Sequence, residues 1–404
     1  MQGLNQSHFT KSVCILGATG SIGDSTLSVI RKNPHHFKVH SLVAHKNVDK
    51  MLKLCIEFKP EFVIMADENA AGILKSKIDA HSLKINVLSG FNAINEMVTH
   101  PDIDIVVAAI VGSRGLISAL AAVKAAKTIL LANKESLVMG GTIFMDSVKR
   151  YGAKLLPIDS EHNALFQCLP KNDQGNITHI GVNQLILTAS GGPFRTKTVS
   201  EMKQVTLNEA LKHPKWVMGA KVTLDSASLM NKGLELIEAH FLFDMPVEKL
   251  DVIVHPQSIV HSLVRYTDGS FLAQLGEPDM RIPIAHALSY AHSFPNRIPS
   301  GANNMDLSVI ASLTFEKPDY EKFPCLQLAF DSLKLGGSAL VTLNAANEIA
   351  VESLMQDRLQ FMDVPRIINQ SLMHFGTHTL TTLEDLLGFD DEVRKYTQQL
   401  LATF

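Results

Sequence analysis

Short β-branched runs alternate with amphipathic helical stretches over the first 159 residues, and this alternation limits the possible folds more than any other feature. Between the runs, apolar residues recur at helical spacing, as in Met51, Leu54 and Phe58. Such alternation predicts right-handed βαβ units and a parallel sheet with helices on both faces. The predicted strands are residues 13–16, 39–44, 62–65, 85–88, 103–109, 128–131 and 154–158. We therefore expect a Rossmann-like α/β domain over residues 1–159, with ligands beyond the carboxyl ends of its strands.

After residue 159 the pattern becomes that of an α+β domain, which we place at residues 160–289. The Thr267-Asp268-Gly269 turn between two β-rich runs predicts a hairpin. The predicted elements are a helix from Ser160, a strand at 183–189 and hairpin arms at 258–266 and 270–275.

The last part of the chain is predicted to be a linker followed by a helical bundle. Residues 290–314 carry Pro295, Pro299 and Gly301, a composition typical of a linker. Residues 315–404 are predicted to be helical, with a long apolar-periodic stretch at 338–356. Helix starts are predicted at Asp363-Val364-Pro365, an N-cap followed by proline, and at Thr381-Thr382-Leu383-Glu384, which fits a capping box.

Composition excludes several classes of protein. The 37 Lys and Arg against 40 Asp and Glu give a net charge of −3, which argues against a nucleic-acid binder. The longest strongly apolar run, residues 105–111, is far shorter than the ~20 residues of a membrane span, and the first eleven residues lack the apolar core of a signal peptide. The cysteines lack metal-ligand spacing and are expected to be buried, reduced thiols: Cys14, Cys55, Cys168 and Cys325. We expect a soluble, cytoplasmic protein without a membrane or nucleic-acid partner.

A glycine-rich loop follows the first predicted strand. It reads Gly17-Ala18-Thr19-Gly20-Ser21-Ile22-Gly23 and opens a predicted helix that continues through Arg31. Glycines permit close approach of the backbone to a pyrophosphate, and the helix N-terminus supplies N–H donors. The spacing alone is a weak signal, but its place between strand and helix favours a dinucleotide site over a turn chosen for packing.

The second predicted strand ends in Ala44-His45-Lys46-Asn47, without the acidic residue that holds the ribose 2′-OH of NAD. Lys46 and His45 are suited to a 2′-phosphate, so NADP(H) is preferred; the alternative is a set of solvent-exposed loop charges. Asn133 and Glu135 follow a later strand at the same edge and are placed near the nicotinamide. A helix cap is the alternative there, but it explains the Lys134-Glu135 pair in the same turn less well.

Three acidic residues are candidates for a metal site. Asp159 and Glu161 stand where a predicted strand ends and a helix begins, and two oxygen ligands in one turn suit Mg²⁺ or Mn²⁺. The third candidate is Glu235, which shares a predicted helical face with Asn231 and Lys232. An exposed Lys232–Glu235 salt bridge is the alternative, and it is favoured for that pair taken alone.

The polar groups around Lys232 are typical of an anion pocket. Ser226, Ser228 and Asn231 stand in the same short segment, and Ser190 in a Ser-Gly-Gly turn adds a hydroxyl and free N–H groups. Trp216, the single tryptophan, lies between Pro214 and Gly219 and is either a core residue or part of a mobile lid. His255 and His261 fall in strand patterns and are predicted to be structural.

Taken together, these segments resemble the 1-deoxy-D-xylulose 5-phosphate reductoisomerase family. The resemblance rests on the motifs GATGSIG, LANKES, IDSEHNA, SGGPFR, HPKWVMG, DSASLMNKGLE, HPQSIVHS and GEPDMRIPIA, which occur in family order over nearly the whole chain. It implies an NADPH-dependent enzyme of non-mevalonate isoprenoid biosynthesis that needs Mg²⁺ or Mn²⁺. It also implies a phosphorylated ketose substrate and a homodimer, with catalysis and dimerisation in residues 160–289.

The resemblance assigns site residues motif by motif. The cofactor residues are Thr19, Gly20, Ser21, Ile22, His45, Lys46, Asn47, Asn133, Glu135, Gly219 and Met280. The metal ligands are Asp159, Glu161 and Glu235, which with Lys134 and His213 make up the catalytic set. The resemblance implies that Ser190, Ser226, Asn231 and Lys232 bind the substrate phosphate. It implies that Ser160, Lys134 and His213 contact the polar backbone of the substrate and that Trp216 closes as the lid. Glu161 and Glu235 are also substrate-binding residues. Two positions depart from the pattern of the family: His45 stands where many members have glycine, and Val217 where a small polar residue is common. These departures concern cofactor affinity or lid motion.

Two other functions remain open at this point. A semialdehyde-type dehydrogenase also opens with a GATG-like loop but needs a nucleophilic cysteine, and Cys168 lies on an apolar helical pattern. A non-catalytic NADP(H) sensor leaves the three carboxylates and the anion pocket without a purpose.

Overall fold

The computed structural model describes residues 10–216, 219–292 and 297–403. The chain divides into two compact units. The first is drawn from the ranges Met1–Asn133, Asp146–Asp159 and Asp279–Asn303, and the second from Lys134–Met145, Ser160–Pro278 and Asn304–Phe404. The beginning of the chain, for which no signal peptide is predicted, lies outside the described residues.

A parallel sheet is the core of the first unit. Its strands are β1 (Lys11–Leu16), β2 (Phe37–Ala44), β3 (Phe62–Met65), β4 (Asn86–Ser89), β5 (Ile105–Ala108), β6 (Thr128–Leu131) and β7 (Lys154–Pro157). They pair in the order β4-β3-β2-β1-β5-β6-β7, so the strand order reverses between β1 and β5. All seven predicted strands are present, each within two residues of its predicted ends. Val13 to Leu16 have no exposed surface, as expected for a central strand of a parallel sheet.

Helices connect these strands, which confirms the predicted βαβ units. They are α1 (Ser21–Lys32), α2 (Val48–Phe58), α3 (Glu68–Ala80), α4 (Gly90–Met97), α5 (Ser113–Lys124) and α6 (Glu135–Tyr151). The helical spacing predicted from the sequence is confirmed in α2, where Met51, Leu54 and Cys55 are the buried residues.

A mixed sheet lies in the second unit. The elements up to its last strand are α7 (Ser160–Cys168), β8 (Val182–Ala189), α8 (Val199–Met202), α9 (Leu207–Ala210), α10 (Ala220–Ala227), α11 (Met230–Phe243), β9 (Leu250–Val254), β10 (Val260–Tyr266) and β11 (Phe271–Leu275). The strand order is β11-β10-β8-β9. The predicted hairpin is confirmed as the antiparallel pair of β10 and β11. Strand β11 is an edge of this sheet, and Phe271 and Leu272 on it are about half exposed.

The chain then returns to the first unit. Helix α12 (Arg281–Ala291) packs on α1 and on strands β6 and β7. Its buried residues include Ile284 and Leu288. Residues 297–306 form neither helix nor strand.

The remaining described chain is helical, which confirms the predicted class of its C-terminal part. Its helices are α13 (Leu307–Ile310), α14 (Pro324–Leu335), α15 (Ser338–Met355), α16 (Val364–Phe375) and α17 (Leu383–Leu401). Helix α15 packs against α14, α16 and α17 and is buried on nearly all sides. Within the described ranges, no helix combines the length with the apolar content that a membrane crossing requires.

The two predicted helix starts differ in outcome. Asp363 is the N-cap of α16 with proline in the first turn, as predicted, although its carboxylate binds Arg366 at 2.5 Å rather than a backbone N–H. The predicted capping box at Thr381 is wrong by one residue, because Thr382 is the cap and Asp385 its partner. Thr382 has the extended backbone that a cap needs, and the Asp385 carboxylate accepts a hydrogen bond from its N–H.

Candidate active site

Three carboxylates meet at the start of α7. Asp159 immediately precedes this helix, Glu161 lies in its first turn, and Glu235 lies on α11. One oxygen from each lies within 4.8 Å of the other two. A set of ligands made only of oxygen fits a hard divalent cation such as Mg²⁺, so the residues present suit the metal that the sequence predicts.

Lys232 binds two of these carboxylates. Its ammonium lies 2.7 Å from Glu161 Oε1 and also bonds Glu235, and its side chain is only 4% exposed. Burial opposes the charge, but Glu161 and Glu235 together raise the pKa of Lys232. The Lys232–Glu235 pair is therefore buried, and its interpretation as an exposed surface salt bridge is wrong.

Glu235 has two further donors. Lys134 Nζ lies 2.8 Å from Glu235 Oε1 and 2.9 Å from Asn231 Oδ1, and the Asn231 amide also donates to Glu235. The three carboxylates carry three negative charges and Lys134 and Lys232 carry two positive charges, so the cluster has a net charge of −1. The cluster is thus both ordered by hydrogen bonds and attractive to a cation.

Two residues that the sequence analysis missed, His162 and Glu238, help to position Glu235. His162 Nε2 lies 2.8 Å from the backbone oxygen of Glu235, and His162 Nδ1 lies 3.4 Å from the Glu238 carboxylate. Both side chains are fully buried. His162 directly follows Glu161, and Glu238 stands three residues after Glu235, so spacing from the predicted ligands could have found them.

A second cluster that the sequence analysis missed is centred on Lys221 of α10. Its ammonium lies 2.9 Å from Glu135, 3.2 Å from Asp225 and 4.0 Å from Glu348. Glu135, predicted at the cofactor site, thus forms a buried ion pair, which together with Lys134 lowers its pKa against the opposing effect of burial.

His213 connects the Ser190 turn to the tryptophan segment. Its Nδ1 accepts hydrogen bonds from the backbone N–H groups of Lys215 and Trp216, so the proton of the neutral ring lies on Nε2. That nitrogen lies 2.9 Å from Ser190 Oγ. Burial lowers the pKa of His213 to about 4, which keeps the ring neutral. Trp216 is half-buried, with its ring centroid 6.1 Å from that of His261, and Val217 lies outside the described residues.

The predicted phosphate residues all lie in the second unit. Gly192, two residues after Ser190, has a positive φ, and a Cβ there would lie 2.8 Å from the Ser226 carbonyl oxygen. The Ser190 turn therefore packs closely against the end of α10. The turn into α11 has Leu229 at φ 59°, an unusual conformation for a bulky residue.

The glycine loop of the first unit fits a pyrophosphate. It lies at the carboxyl end of β1, where the strand order reverses, and this is where open α/β sheets bind ligands. Gly17 has φ +80°, and a Cβ there would lie 2.6 Å from the Ala109 carbonyl oxygen, so the turn requires glycine. The N-cap of α1 is Gly20, which has no side chain to cap the helix. Gly20 and Ser21 are exposed, as an anion site at a helix N-terminus requires.

The other predicted cofactor residues are distributed over both units. His45, Lys46 and Asn47 are exposed after β2, and Asn47 also caps α2, accepting a hydrogen bond from the Lys50 N–H. Lys50, which the sequence analysis missed, donates to the Thr19 carbonyl oxygen at 2.9 Å. Asn133 and Met280 belong to the ranges of the first unit, and Glu135 and Gly219 to those of the second.

The cysteines are not activated. Burial raises the pKa of Cys168 to about 11 and those of Cys14, Cys55 and Cys325 to about 12. A nucleophilic thiolate needs the opposite shift, so these thiols do not support a dehydrogenase of the semialdehyde type.

Comparison with known proteins identifies the family. Family models match three ranges: 1-deoxy-D-xylulose 5-phosphate reductoisomerase at residues 13–141, its C-terminal domain at 155–243, and the DXP reductoisomerase C-terminal domain at 275–396. The chain belongs to the 1-deoxy-D-xylulose 5-phosphate reductoisomerase family. The resemblance stated from the motifs is confirmed.

Named reductoisomerases match over nearly the full length. The chain is 50% identical to the 1-deoxy-D-xylulose 5-phosphate reductoisomerase of Burkholderia vietnamiensis, with 97% of both chains covered. It is 51% identical to that of Cupriavidus metallidurans, with 97% of this chain and 98% of the relative covered.

Solved structures of reductoisomerases share the fold. One, in complex with NADPH, fosmidomycin and magnesium, has a TM-score of 0.90 and 46% identity, covering 97% of this chain and 98% of that one. The Zymomonas mobilis enzyme in complex with NADPH has a TM-score of 0.90 and 41% identity, covering 98% and 100%. The predicted fold class is confirmed: a Rossmann-like parallel sheet, a central α+β region and a helical C-terminal part.

Proposed function

We propose that this chain converts 1-deoxy-D-xylulose 5-phosphate into 2-C-methyl-D-erythritol 4-phosphate, using NADPH and a divalent cation, in non-mevalonate isoprenoid biosynthesis. The observation that carries the proposal is the group of Asp159, Glu161 and Glu235, whose oxygens lie within 4.8 Å of one another, in a chain of the reductoisomerase family. The reaction rearranges a straight ketose phosphate into a branched aldehyde and then reduces the aldehyde. Magnesium and NADPH in the structures of relatives support the choice of cofactors.

Asp159, Glu161 and Glu235 hold the cation, which when bound polarises the carbonyl of the substrate, and NADPH supplies the hydride. Ser160 and Lys134 surround these ligands. Ser160 Oγ lies 2.5 Å from Glu161 Oε2, and Lys134 donates to Glu235, so both orient a ligand and stand beside the substrate. Lys134 and His213 are the proposed groups that contact the polar backbone of the reacting ketose.

The substrate phosphate is bound by Ser190, Ser226, Asn231 and Lys232. Lys232 carries the positive charge, and its buried position next to Glu161 and Glu235 connects the phosphate pocket to the metal site. Because His213 Nε2 and the Gly192 N–H both donate to Ser190 Oγ, the hydroxyl proton of Ser190 is available to the phosphate.

Binding the distant phosphate lowers the barrier at the reacting end by fixing its orientation. His213 connects the phosphate site to the reacting end. It accepts a hydrogen bond from the backbone N–H of Trp216, which stands at the start of the proposed lid. The lid excludes water when it closes over the substrate.

The dinucleotide is bound mainly through the first unit. Thr19, Gly20, Ser21 and Ile22 bind the pyrophosphate, and the exposed His45, Lys46 and Asn47 bind the 2′-phosphate. Asn133, Glu135, Gly219 and Met280 complete the nicotinamide side.

The chain forms a homodimer in the cytoplasm. Strand β11 of the proposed catalytic and dimerisation region, 160–289, supports this assignment, because a free sheet edge with half-exposed Phe271 and Leu272 is suited to pairing with a second copy. We further propose residues 290–314 as a linker and 315–404 as a C-terminal domain. Light scattering of Leu272→Lys tests the dimer: a monomer is expected, and an unchanged dimer would place the interface elsewhere.

The decisive assay follows NADPH consumption with 1-deoxy-D-xylulose 5-phosphate, with Mg²⁺ and then with excess chelator. We expect oxidation that depends on the substrate and stops when the metal is removed. NADPH binding without any oxidation would refute the proposed enzymatic activity and favour a non-catalytic NADP(H) sensor.

Glu235→Gln separates metal binding from cofactor binding. Because removing a ligand costs several kcal/mol of transition-state stabilisation, turnover should fall by at least ~100-fold, while NADPH affinity by fluorescence stays within about twofold. Glu161→Gln should behave alike, and the matched control Glu352→Gln, an exposed residue of α15, should be fully active. Parallel loss of turnover and NADPH binding in Glu235→Gln would contradict this separation of roles.

A further inference from the structure

Two histidines and two acidic residues converge at the amino ends of strands in the first unit. His40 lies on β2, Glu61 immediately precedes β3, and His100 and Asp102 lie between α4 and β5. One ring nitrogen each of His40 and His100 and one oxygen of Asp102 lie within 4.8 Å of one another. We call these four residues the amino-edge cluster, because the glycine loop lies at the opposite, carboxyl edge of the same sheet.

His40 is the buried centre of this cluster. It is 1% exposed, and neither of its ring nitrogens has a hydrogen-bond partner among the described residues. The Glu61 carboxylate lies 3.7 Å from His40 Nε2, beyond hydrogen-bond distance. Buried polar atoms without a partner are rare and costly, and a neutral imidazole has one nitrogen able to bind a metal, so the His40 ring points to a missing ligand.

The surrounding residues hold the cluster in place. The His40 ring is stacked on Phe62 at 5.5 Å, and its centroid lies 5.0 Å from that of His100. Lys127 Nζ donates to the carbonyl oxygens of His100 and Ile103, each at 2.7 Å, which fixes the segment before β5. The two imidazoles are therefore pre-positioned by contacts that do not involve a metal.

We propose that the amino-edge cluster binds Zn²⁺, with His40 and His100 as nitrogen ligands and Asp102 and Glu61 as oxygen ligands. Two imidazoles with carboxylates favour a borderline transition metal over Mg²⁺. Tetrahedral Zn²⁺ with bonds of about 2.0–2.2 Å needs ligand atoms about 3.3–3.6 Å apart. The outer ligands can supply this contraction, because the side chains of Asp102 and Glu61 are 72% and 48% exposed.

The bound ion stabilises the first unit. It joins β2, the start of β3 and the turn before β5, which the ring contacts of His100 with His40 and Phe62 already bring together. The site belongs entirely to the first unit, and it differs from the all-carboxylate cluster in offering nitrogen ligands.

The test is equilibrium dialysis of the full chain against Zn²⁺ with Mg²⁺ in large excess, followed by metal counting and thermal unfolding. His100→Gln and Asp102→Asn change partly or largely exposed side chains, and both variants should fold. The matched control is His81→Gln, an exposed histidine after α3 outside the cluster.

Wild type and His81→Gln should bind one more Zn²⁺ per chain than His100→Gln and gain thermal stability from it. Asp102→Asn should weaken that binding at least tenfold. His40→Gln should abolish it, and if that buried variant does not fold, the two outer variants decide. Equal zinc counts and equal thermal shifts in wild type and His100→Gln would overturn the proposal.

Discussion

Replacing Lys221 by methionine tests how far buried charge pairing stabilises the second unit. The ammonium lies 2.9 Å from Glu135 and 3.2 Å from Asp225, whose side chains are only 7% and 2% exposed. Burial alone opposes the charge, yet Asp225, Glu135 and Glu348 raise the pKa of Lys221 well above its ordinary range. Methionine keeps an unbranched apolar side chain and removes the ammonium, with its charge and its hydrogen bond to Glu135.

The size of the effect depends on which partners the buried carboxylates keep after Lys221 is replaced. Breaking a buried ion pair costs about 3–5 kcal/mol, because a carboxylate is left buried without its counter-charge. Here Asp225 retains the Asn347 amide at 2.8 Å, and Glu348 retains Arg394. Lys221 is also 24% exposed, so solvent already screens part of the attraction. We therefore expect a loss of about 3–4 kcal/mol in the free energy of unfolding, at the lower end of that range.

Urea unfolding followed by circular dichroism measures this loss from the shift in midpoint. The matched control is Lys75→Met, which breaks the Lys75–Asp79 pair at the same i,i+4 spacing but with both side chains more than 60% exposed. It should change the stability by less than about 0.5 kcal/mol. Glu135→Gln in the Lys221→Met background should recover part of the loss. Equal, small shifts for Lys221→Met and Lys75→Met would refute the reasoning, as would a further loss in the double variant.

Three further predictions concern a histidine, two glycines and the thiols. Burial lowers the pKa of His261 from 6.5 to about 4. The folded chain then binds fewer protons than the unfolded chain between these values, so the free energy of unfolding should fall as pH drops from 6.5 to 4. Urea unfolding at pH 7 and pH 5 should show a smaller difference for His261→Asn than for wild type. Gly17→Ala should destabilise the chain by about 1–3 kcal/mol and weaken NADPH binding, since its Cβ meets a carbonyl oxygen at φ +80°. Gly72→Ala, inside α3 with open space around its Cβ, should stabilise it by about 0.5–1 kcal/mol; equal effects of the two substitutions would contradict this account. Iodoacetamide at neutral pH should leave turnover intact, because burial raises the pKa of Cys168 to about 11; rapid inactivation protected by NADPH would contradict this.

The seven strands of the parallel sheet could be predicted because each is a buried β-branched run with a helix on either side. Local spacing contains that information, as Met51 and Leu54 in α2 show. The capping box was displaced by one residue because Thr381 and Thr382 are both good caps by composition. Backbone conformation decides between them, and it depends on how the chain enters α17.

Burial was the quantity that local spacing could not supply. The Lys232–Glu235 pair has the spacing of a surface salt bridge. Its burial is set by elements that pack against α11, such as α14, which is far from both residues in sequence. Lys221 was missed for the same reason, since its partners Glu135 and Glu348 are distant along the chain. The return of α12 to the first unit is likewise a tertiary contact without a local signal.

That return has a consequence for synthesis on the ribosome. The chain completes β7 by residue 157 and reaches the third stretch of the first unit at residue 279, after the intervening elements have been made. At about 5–20 residues per second, the ~120 residues between take roughly 6–24 s. Throughout that interval the face of α1 that α12 covers stays open to water or to a chaperone. The strands of the N-terminal sheet are therefore translated early, but the helix α12 that packs on this unit is translated late. Any nascent chain released before residue 291 exposes the apolar surface that α12 covers in the folded protein.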